Sequence, residues 1–319
     1  MSDLAVVIVS WNTRALTLEA IRTLLDDVQR GGPYDTEIWV VDNASSDDSP
    51  AAIQAEFPHV KIIENTKNIG FGAANNVAMR AMGFGESGID ENTLPRAVYL
   101  LNSDTQTRPN ATSILFNALF SLPEAGVVGA RLTYEDGGFQ HSAFGFPGLS
   151  QLWIDLMPAP GTLYNRRLNG RYPRRLYEHP RPFRVGHTLG ATMMIRREVI
   201  QKTGMFDEQF FMYAEEVDWS WRIQKAGWKI YCVPQAHVIH LEGQSTRQVR
   251  PDSIINLWQS RLRLYRKHYP MLKRQAARWL IGVGMRRKIR QARRAYALRQ
   301  ISAKERDTLI SAYEQVMGL

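Results

Sequence analysis

Residues 6–12 read Val-Val-Ile-Val-Ser-Trp-Asn. Four β-branched residues in a row, with no polar alternation, describe a strand buried on both faces, as in a parallel sheet. A helical stretch follows from about Thr13 to Arg30, with Leu16, Ala20, Ile21, Leu24, Leu25 and Val28 on one face. Gly31-Gly32-Pro33 ends it.

The alternation continues outward from this unit. A second apolar strand, Ile38 to Val41, runs into the polar cluster that begins Asp42-Asn43, and a third, Val60 to Ile63, runs into Glu64-Asn65. A fourth, Ala97 to Leu101, ends in Asn102-Ser103-Asp104, and Pro109 suits the first turn of another helix. Short apolar strands alternating with amphipathic helices predict an α/β domain with a mostly parallel sheet flanked by helices. Such sheets bind ligands beyond the carboxyl ends of their strands, and all four ends here are polar.

From Phe139 to Arg184 the pattern dissolves. Arg166, Arg167, Arg171, Arg174, Arg175, Arg181 and Arg184 read as an irregular basic loop. Order returns with Ala191 to Ile195, a helix around Val217 to Ala226 and a strand from Lys229 to Val233. After Arg250 the sequence is helical, basic and amphipathic to its end.

The chain has 319 residues, 44% hydrophobic and 22% charged, which describes a globular protein. Its formal charge of +9 is unevenly distributed. Residues 1–249 carry 23 basic and 27 acidic side chains, whereas residues 250–300 carry 15 basic and one acidic, Asp252. The basic character belongs to one segment, so the pI alone does not indicate a nucleic-acid-binding domain. The single cysteine, Cys232, excludes an intramolecular disulfide and multi-cysteine metal sites, and fits a reducing cytosol. Met1-Ser2-Asp3 has no basic flank before the apolar run, which predicts no secretory signal. No apolar stretch approaches the roughly 20 residues that span a bilayer.

Four clusters could carry chemistry. Gly70-Phe71-Gly72-Ala73-Ala74-Asn75 approaches the dinucleotide fingerprint but lacks its third glycine and follows the third strand rather than the first. That argues against a Rossmann oxidoreductase and for a glycine-assisted helix start. Asn102-Ser103-Asp104, at a strand end, suits a hard divalent cation on a diphosphate, or equally a turn and helix cap. Glu215-Glu216-Val217-Asp218 sits among Phe210, Phe211, Met212, Tyr213, Trp219 and Trp221. It is either a cleft wall with perturbed carboxylates or a solvated acidic helix start. His237 and His240, three apart on a strand, point to opposite faces, so one can be a ligand while the other is structural.

In their order these pieces resemble the inverting family 2 glycosyltransferases, in particular the rhamnosyltransferase-like members of bacterial cell-surface polysaccharide assembly. The matching stretches are VVIVSWN (6–12), VVDNASSD (40–47), ENTKNIGFGAANN (64–76), LLNSDT (100–105), GATMMIRR (190–197), FDEQFFMYAEEVDWSWR (206–222), HVIHLEGQS (237–245) and YRKHYP (265–270). The resemblance implies a GT-A fold over residues 1–250, with a donor half to about 135 and an acceptor half from about 136, followed by a basic helical extension at 251–319. It implies nucleotide-sugar contacts from Asp42 and its neighbours Ser10, Asn12, Asn65, Asn68, Gly70 and Gly190. Asn102 and Asp104 stand at the family's DXD-type motif, where Asp104, Asn102 and His240 would hold Mg²⁺ or Mn²⁺ on the donor diphosphate. Asn102 is neutral where many relatives carry Asp. Glu216 stands at the position of the catalytic base, which is Asp in most members, with Glu215 as a rival base and Asp218 as a companion.

The implied activity is inverting transfer of a hexose, rhamnose from dTDP-rhamnose, to a saccharide or lipid-linked saccharide. A catalytically inactive relative that binds nucleotide sugar or serves as a membrane assembly subunit is the alternative. A nucleotidyltransferase would need a Gly- and Lys/Arg-rich loop after the first strand, which Ser10 to Arg14 does not supply. In residues 254–299 apolar side chains, Trp279 among them, alternate with Lys and Arg, which predicts attachment to an anionic membrane surface from the cytoplasmic side. A helix packed on the domain with a solvated charged face is the competing reading. No nucleic-acid-binding motif accompanies the charge.

Overall fold

The computed structural model describes residues 2–31, 35–241 and 250–319. Residues 242–245 of the HVIHLEGQS stretch lie outside the described residues. The first half contains β1 (Leu4–Ser10), α1 (Arg14–Gly31), β2 (Thr36–Asp42), α2 (Ser49–Glu56), β3 (Lys61–Glu64), α3 (Phe71–Ala81), β4 (Ala97–Asn102), β5 (Thr105–Thr107), α4 (Ala111–Ser121) and β6 (Ala125–Thr133). Then come β7 (Phe139–Gln140), β8 (Ala143–Phe144), α5 (Leu149–Leu156), α6 (Arg174–Glu178), β9 (Phe183–Val185), β10 (His187–Thr188), β11 (Thr192–Arg196) and α7 (Arg197–Thr203). The remainder is α8 (Glu215–Lys225), β12 (Lys229–His240), α9 (Arg250–His268), α10 (Met271–Ala297) and α11 (Ala303–Gly318).

The main sheet runs β3-β2-β1-β4-β11-β6-β12-β5. Its first four strands are parallel, β11 is antiparallel to both β4 and β6, and β12 returns parallel to β6. β1 is central to the parallel part, and its residues divide by the two-residue period. Leu4, Val6 and Ile8 pack with Ile21, Leu24 and Leu115, whereas Val7 packs with Ala74, Met79 and Trp219 on the other face. Burying both faces of the strand is what its unbroken apolar run requires, at about 1.5–3 kcal/mol for each large aliphatic side chain. Among the polar exceptions, Asp27 of α1 is buried because its Oδ2 accepts from Thr112 N in the first turn of α4 at 2.8 Å.

Register lines up the polar strand ends. Ser10 pairs with Asp42, Val9 with Asn102, and Asp42 with Glu64.

Several expectations change in detail. Pro109 lies before α4, whose N-cap is Asn110 in the left-handed region (φ 67°). The strand expected at Lys229 to Val233 continues to His240. Pro234 lacks the N–H that the ladder needs, and the register shifts between Val233 and His237 before pairing resumes. The stretch expected to be irregular contains α5, whose buried Leu152 and Leu156 face the C-terminal helices.

The charge boundary near Arg250 is not a boundary in space. Trp258, Leu262 and Tyr265 of α9, with Tyr269 just beyond it, share one apolar cluster with Leu152 and Leu156 of α5 and with Ala277, Ile281 and Met285 of α10. At Gly284 of α10 a Cβ would come within 2.7 Å of the Leu156 side chain, so helix and domain are in close contact. Residues 251–319 are thus packed on the domain through α9 and α10 rather than appended to it. No described helix is long and apolar enough to cross a membrane.

Candidate active site

A cleft of about 560 Å³ opens at the carboxyl ends of β1 and β4. Val9, Trp11, Asn102, Ser103 and Asp104 line it from these strands, Asn43 and Asn68 from the neighbouring loops, and Gly190 and Ala191 from the approach to β11. Glu215 and Glu216 enter from the start of α8, and His240 from the end of β12. The far wall is Gln151, Leu152 and Asp155 of α5 with Leu257, Arg261, Leu264 and Tyr265 of α9.

Asn102, Asp104 and His240 converge because β12 pairs with β5: His240 lies opposite Thr105, and Leu241 N donates to Asp104 O at 2.9 Å. His240 Nε2 is 3.3 Å from Asp104 Oδ1 and 3.5 Å from Asn102 Nδ2, while its Nδ1 is 3.3 Å from Gln140 Oε1. With Nδ1–H donating to Gln140, Nε2 and the Asp104 carboxylate face each other as two acceptors. Such a pair needs a proton or a cation between them. Asn102 Oδ1, buried and without a hydrogen-bond partner, is a further oxygen beside them. One carboxylate, one amide oxygen and one imidazole make a donor set that suits Mg²⁺ or Mn²⁺ when phosphate oxygens complete the shell. Among the described residues no three His, Cys, Asp or Glu side chains converge on a metal position.

Across the cleft, Tyr213 (φ 69°) and Ala214 (φ 66°) are consecutive non-glycine residues in the left-handed region, at about 1–3 kcal/mol each. Neighbouring contacts hold them there. Ser260 Oγ of α9 donates to Met212 O at 2.7 Å, Phe71 N donates to Phe211 O at 3.1 Å, and Leu264 packs on Ala214. The result is an abrupt start to α8 that delivers Glu215 and Glu216 to the cleft on its first turn, where the helix dipole favours negative charge. Burial pushes the Glu216 carboxyl up to about 7. Glu215 is raised well above the usual carboxylate range by burial and then by the charge of Glu216, and its Oε2 is buried without a partner. Two carboxyls whose surroundings set them apart are an acid–base pair in form.

Asp218 is not part of this pair. Two residues along a helix turn it about 200° from Glu216. There its oxygens accept from Arg222 Nε at 3.0 Å, Lys267 Nζ at 2.9 Å and His268 Nε2 at 2.7 Å. Burial raises its pKa, but these three hydrogen bonds outweigh burial and leave it below the ordinary carboxylate range. An anion so neutralised is a tie between α8 and α9, and the expectation of a catalytic companion at Asp218 is corrected accordingly.

Of the residues expected at the site, Asn68, Asn102, Asp104, Gly190, Glu215, Glu216 and His240 line the cleft. Ser10, Asn12, Asp42, Asn65 and Gly70 stand behind it. Ser10 Oγ turns inward to Thr17 Oγ1 at 2.9 Å, and Asn12 Oδ1 accepts from Ser46 N at 2.7 Å. Asp42 Oδ2 accepts from Ser45 N at 2.8 Å. At Gly70 (φ 89°) a Cβ would lie 2.1 Å from Phe211 O, so only glycine fits. Asn65 donates to Asn43, the residue that sequence reasoning passed over: Asn43 Nδ2 donates to Asn68 Oδ1 at 2.8 Å while its Oδ1 accepts from Asn65 Nδ2 and Ile69 N, both at 3.1 Å. Its place directly after Asp42 in the quoted stretch was the available signal. Trp11, Asp155 and Arg261, whose Nη1 lies 3.0 Å from Asp155 Oδ2, are also cleft residues not anticipated.

Residues 5–204 match the model of glycosyl transferase family 2, and residues 180–305 match glycosyl transferase family group 2. The N-acetylglucosaminyl-diphospho-decaprenol L-rhamnosyltransferase of Mycobacterium tuberculosis is 31% identical over 209 residues, 66% of this chain and 67% of that protein. A mannosyltransferase from Pyrobaculum calidifontis, solved with GDP-Man and Mn²⁺, superposes with a TM-score of 0.55 at 17% identity, covering 99% of this chain and 86% of its own. GalNAc-T7, solved with UDP, GalNAc and Mn²⁺, gives the same TM-score at 18% identity over 75% of this chain and 43% of its own. These likenesses establish the GT-A fold, and the family match establishes an enzyme of glycosyl transfer. With its parallel donor sheet, polar strand ends and carboxylate-bearing α8, the chain belongs to glycosyl transferase family 2 and is rhamnosyltransferase-like.

Proposed function

We propose that the protein transfers a sugar, rhamnose from dTDP-rhamnose, to a sugar of a lipid-linked saccharide, with inversion at the anomeric carbon. The observation that carries this reading is that Glu216 lines the same cleft as Asn102, Asp104 and His240. A carboxylate with a pKa near 7 can take the proton of an acceptor hydroxyl at neutral pH. The acceptor oxygen then bonds to the anomeric carbon as the bond to the diphosphate oxygen breaks, and a single displacement inverts the centre. Asn102 Oδ1, Asp104 and His240 would hold the divalent cation, which supplies neutralisation of the charge on the departing diphosphate. Burial and the charge of Glu216 oppose ionisation of Glu215, which stands beside Glu216 as its partner.

The rhamnose and the lipid-linked acceptor rest on the mycobacterial relative, whose name specifies a rhamnosyltransferase acting on a decaprenol-linked amino sugar, and the dTDP carrier on the family resemblance of the motifs. A lipid-linked acceptor also gives a role to α10. Leu272 and Trp279, 79% and 68% exposed, share one helix face with exposed Arg286 and Arg290. An apolar and basic face of this kind fits an anionic bilayer surface, and we assign the protein to the cytoplasmic side of the membrane on that ground.

A panel of nucleotide sugars, with and without Mn²⁺, read by released nucleoside diphosphate, tests the reading. Turnover of dTDP-rhamnose lost in Glu216→Gln supports it, and turnover undiminished in that variant refutes the assignment of the base. The neutral Asn102 favours one other reading, a sugar-nucleotide-binding subunit without activity. Mn²⁺-dependent nucleotide binding with no turnover across the panel would select it.

A further inference from the structure

A second cavity, of about 990 Å³, lies beside the cleft and is unused by the transfer chemistry. Arg166, Arg167, Arg174 and Arg175 line it, with Phe139 and His141. It is built from the arginine-rich loop, where residues 161–185 hold seven arginines and one carboxylate, Glu178. Glu178 pairs with Arg174, and among the described residues Arg166, Arg167 and Arg175 have no carboxylate partner. Arg171 Nη1 is held by Asn165 Oδ1 at 2.9 Å. Burial, then the charge of Arg171, lowers His141 to about 4, so at neutral pH it is an uncharged imidazole, and its buried Nδ1 has no partner. Arg166, Arg167 and Arg175, without carboxylate partners, line the cavity together with an imidazole that meets Asn165 and leaves its Nδ1 free, a setting that suits an anion with several acceptor oxygens.

Two neighbouring features narrow the anion. The cavity abuts the catalytic cleft: Phe144 lines the cleft, its ring is 6.2 Å from that of His141, and it stacks on His187, another cleft residue, at 5.6 Å. Exposed apolar groups adjoin the lining as well: Tyr164 and Leu168 flank Asn165, Arg166 and Arg167 in the chain, and Ser150 Oγ of α5, three residues before exposed Trp153, donates to Leu168 O at 3.1 Å. Free phosphate has no use for these. A diphosphate joined to a hydrocarbon chain uses both.

We infer that the arginine-lined cavity binds the diphosphate of a prenyl-diphosphate-linked acceptor, with Leu168, Tyr164 and Trp153 against the first isoprene units and the acceptor sugar reaching the cleft past Phe144. The inference rests on the transfer reading above for the sugar, but the anion site stands on its own geometry. It assigns the loop a task that no motif of the donor half performs.

Calorimetry on the full chain tests it, with geranyl diphosphate and inorganic pyrophosphate as probes. Geranyl diphosphate is expected to bind more tightly than pyrophosphate, and Arg167→Gln with Arg175→Gln to weaken it at least tenfold. Both arginines are exposed, and a thermal melt checks that the variant folds. Lys225→Gln with Lys304→Gln, which removes the same charge elsewhere, is expected to leave binding unchanged. Leu168→Ser should weaken geranyl diphosphate and spare pyrophosphate. No binding by the parent, or equal loss in the two charge variants, overturns the site. Equal affinity for both probes overturns the lipid part in favour of free phosphate. Binding that follows the arginines in a chain that turns over no nucleotide sugar supports the site and refutes the transfer reading.

Discussion

His268 Nε2 lies 2.7 Å from Asp218 Oδ1, joining the basic C-terminal region to the helix that carries Glu216. Lys267 and Arg222 reach the same carboxylate, and the Trp221 ring stacks on His268 at 4.5 Å and 7°. Asp218→Ala leaves these partners without their anion in a largely buried setting. Stability is expected to fall by about 2–4 kcal/mol, less than a fully buried pair costs because Lys267 and Arg222 are partly exposed. Urea unfolding measures this. Asp218→Asn, assayed where it is folded, should keep kcat within about tenfold, which a lost catalytic base would not allow. The depressed carboxyl stabilises the fold above its unfolded pKa, and that contribution is lost as pH falls through the lower folded value.

The proposed base should titrate in the activity. With Glu216 raised to about 7, kcat/KM is expected to rise with pH through a single ionisation near neutrality and to level above it. Glu216→Gln should lower kcat by about 10²–10⁴ and abolish that limb. A pH profile with an unchanged acid limb in the variant would refute the assignment.

Glu215 makes the opposite kind of contribution. Its folded pKa is raised by burial and then by Glu216, so the stability it supports is complete below the unfolded value and declines as pH rises towards the folded one. Glu215→Gln removes the penalty of ionisation. Its melting temperature should match the parent below about pH 4, where the carboxyl is protonated in both states, and exceed it at pH 8.

Asn102→Asp adds a second carboxylate to the Asp104–His240 set. Half-saturating Mn²⁺ for nucleotide binding is expected to fall about tenfold, and His240→Ala to raise it by about 10–100-fold, a range typical of losses at metal-site residues. Fluorescence titration with nucleotide across Mn²⁺ concentrations measures both.

The face of α10 should be the membrane contact. Arg286→Gln with Arg290→Gln removes two charges worth about 1 kcal/mol each near an anionic surface, roughly a 30-fold loss in partition. Co-sedimentation with phosphatidylserine vesicles should show that loss, and salt should weaken the parent in the same way. Cutting the chain near residue 270 is a poorer test, because it uncovers Leu152 and Leu156 as well as removing charge.

The parallel core was legible because β1 and β4 are apolar on both faces, and period and strand ends alone place Asn102 and Asp104 at a ligand-binding edge. The pairing of His240 with Thr105 was not legible, since Pro234 masks the continuity of the strand that carries it. Nor was the role of Asp218. Next to two glutamates it looks like a third member of an acidic cluster, and only the tertiary approach of Lys267 and His268, some fifty positions away, reveals it as their counter-ion. Leu257 and Leu264 belong in the sequence to the apolar and basic alternation of residues 254–299, and become cleft residues only once α9 lies across the end of the sheet.

α9 has two working sides. Leu257, Arg261 and Leu264 line the cleft, while Ser260, Lys267 and His268 grip the segment and helix that hold Glu216. The wall proposed to meet the acceptor and the carboxylate proposed to deprotonate it are therefore mounted on one bracket. A substitution that reshapes the wall by shifting α9 would also displace Glu216, so on the proposed reading substrate preference and turnover are mechanically linked. Changing the preference while sparing the rate then requires replacing wall side chains in place, with the helix axis left where it is.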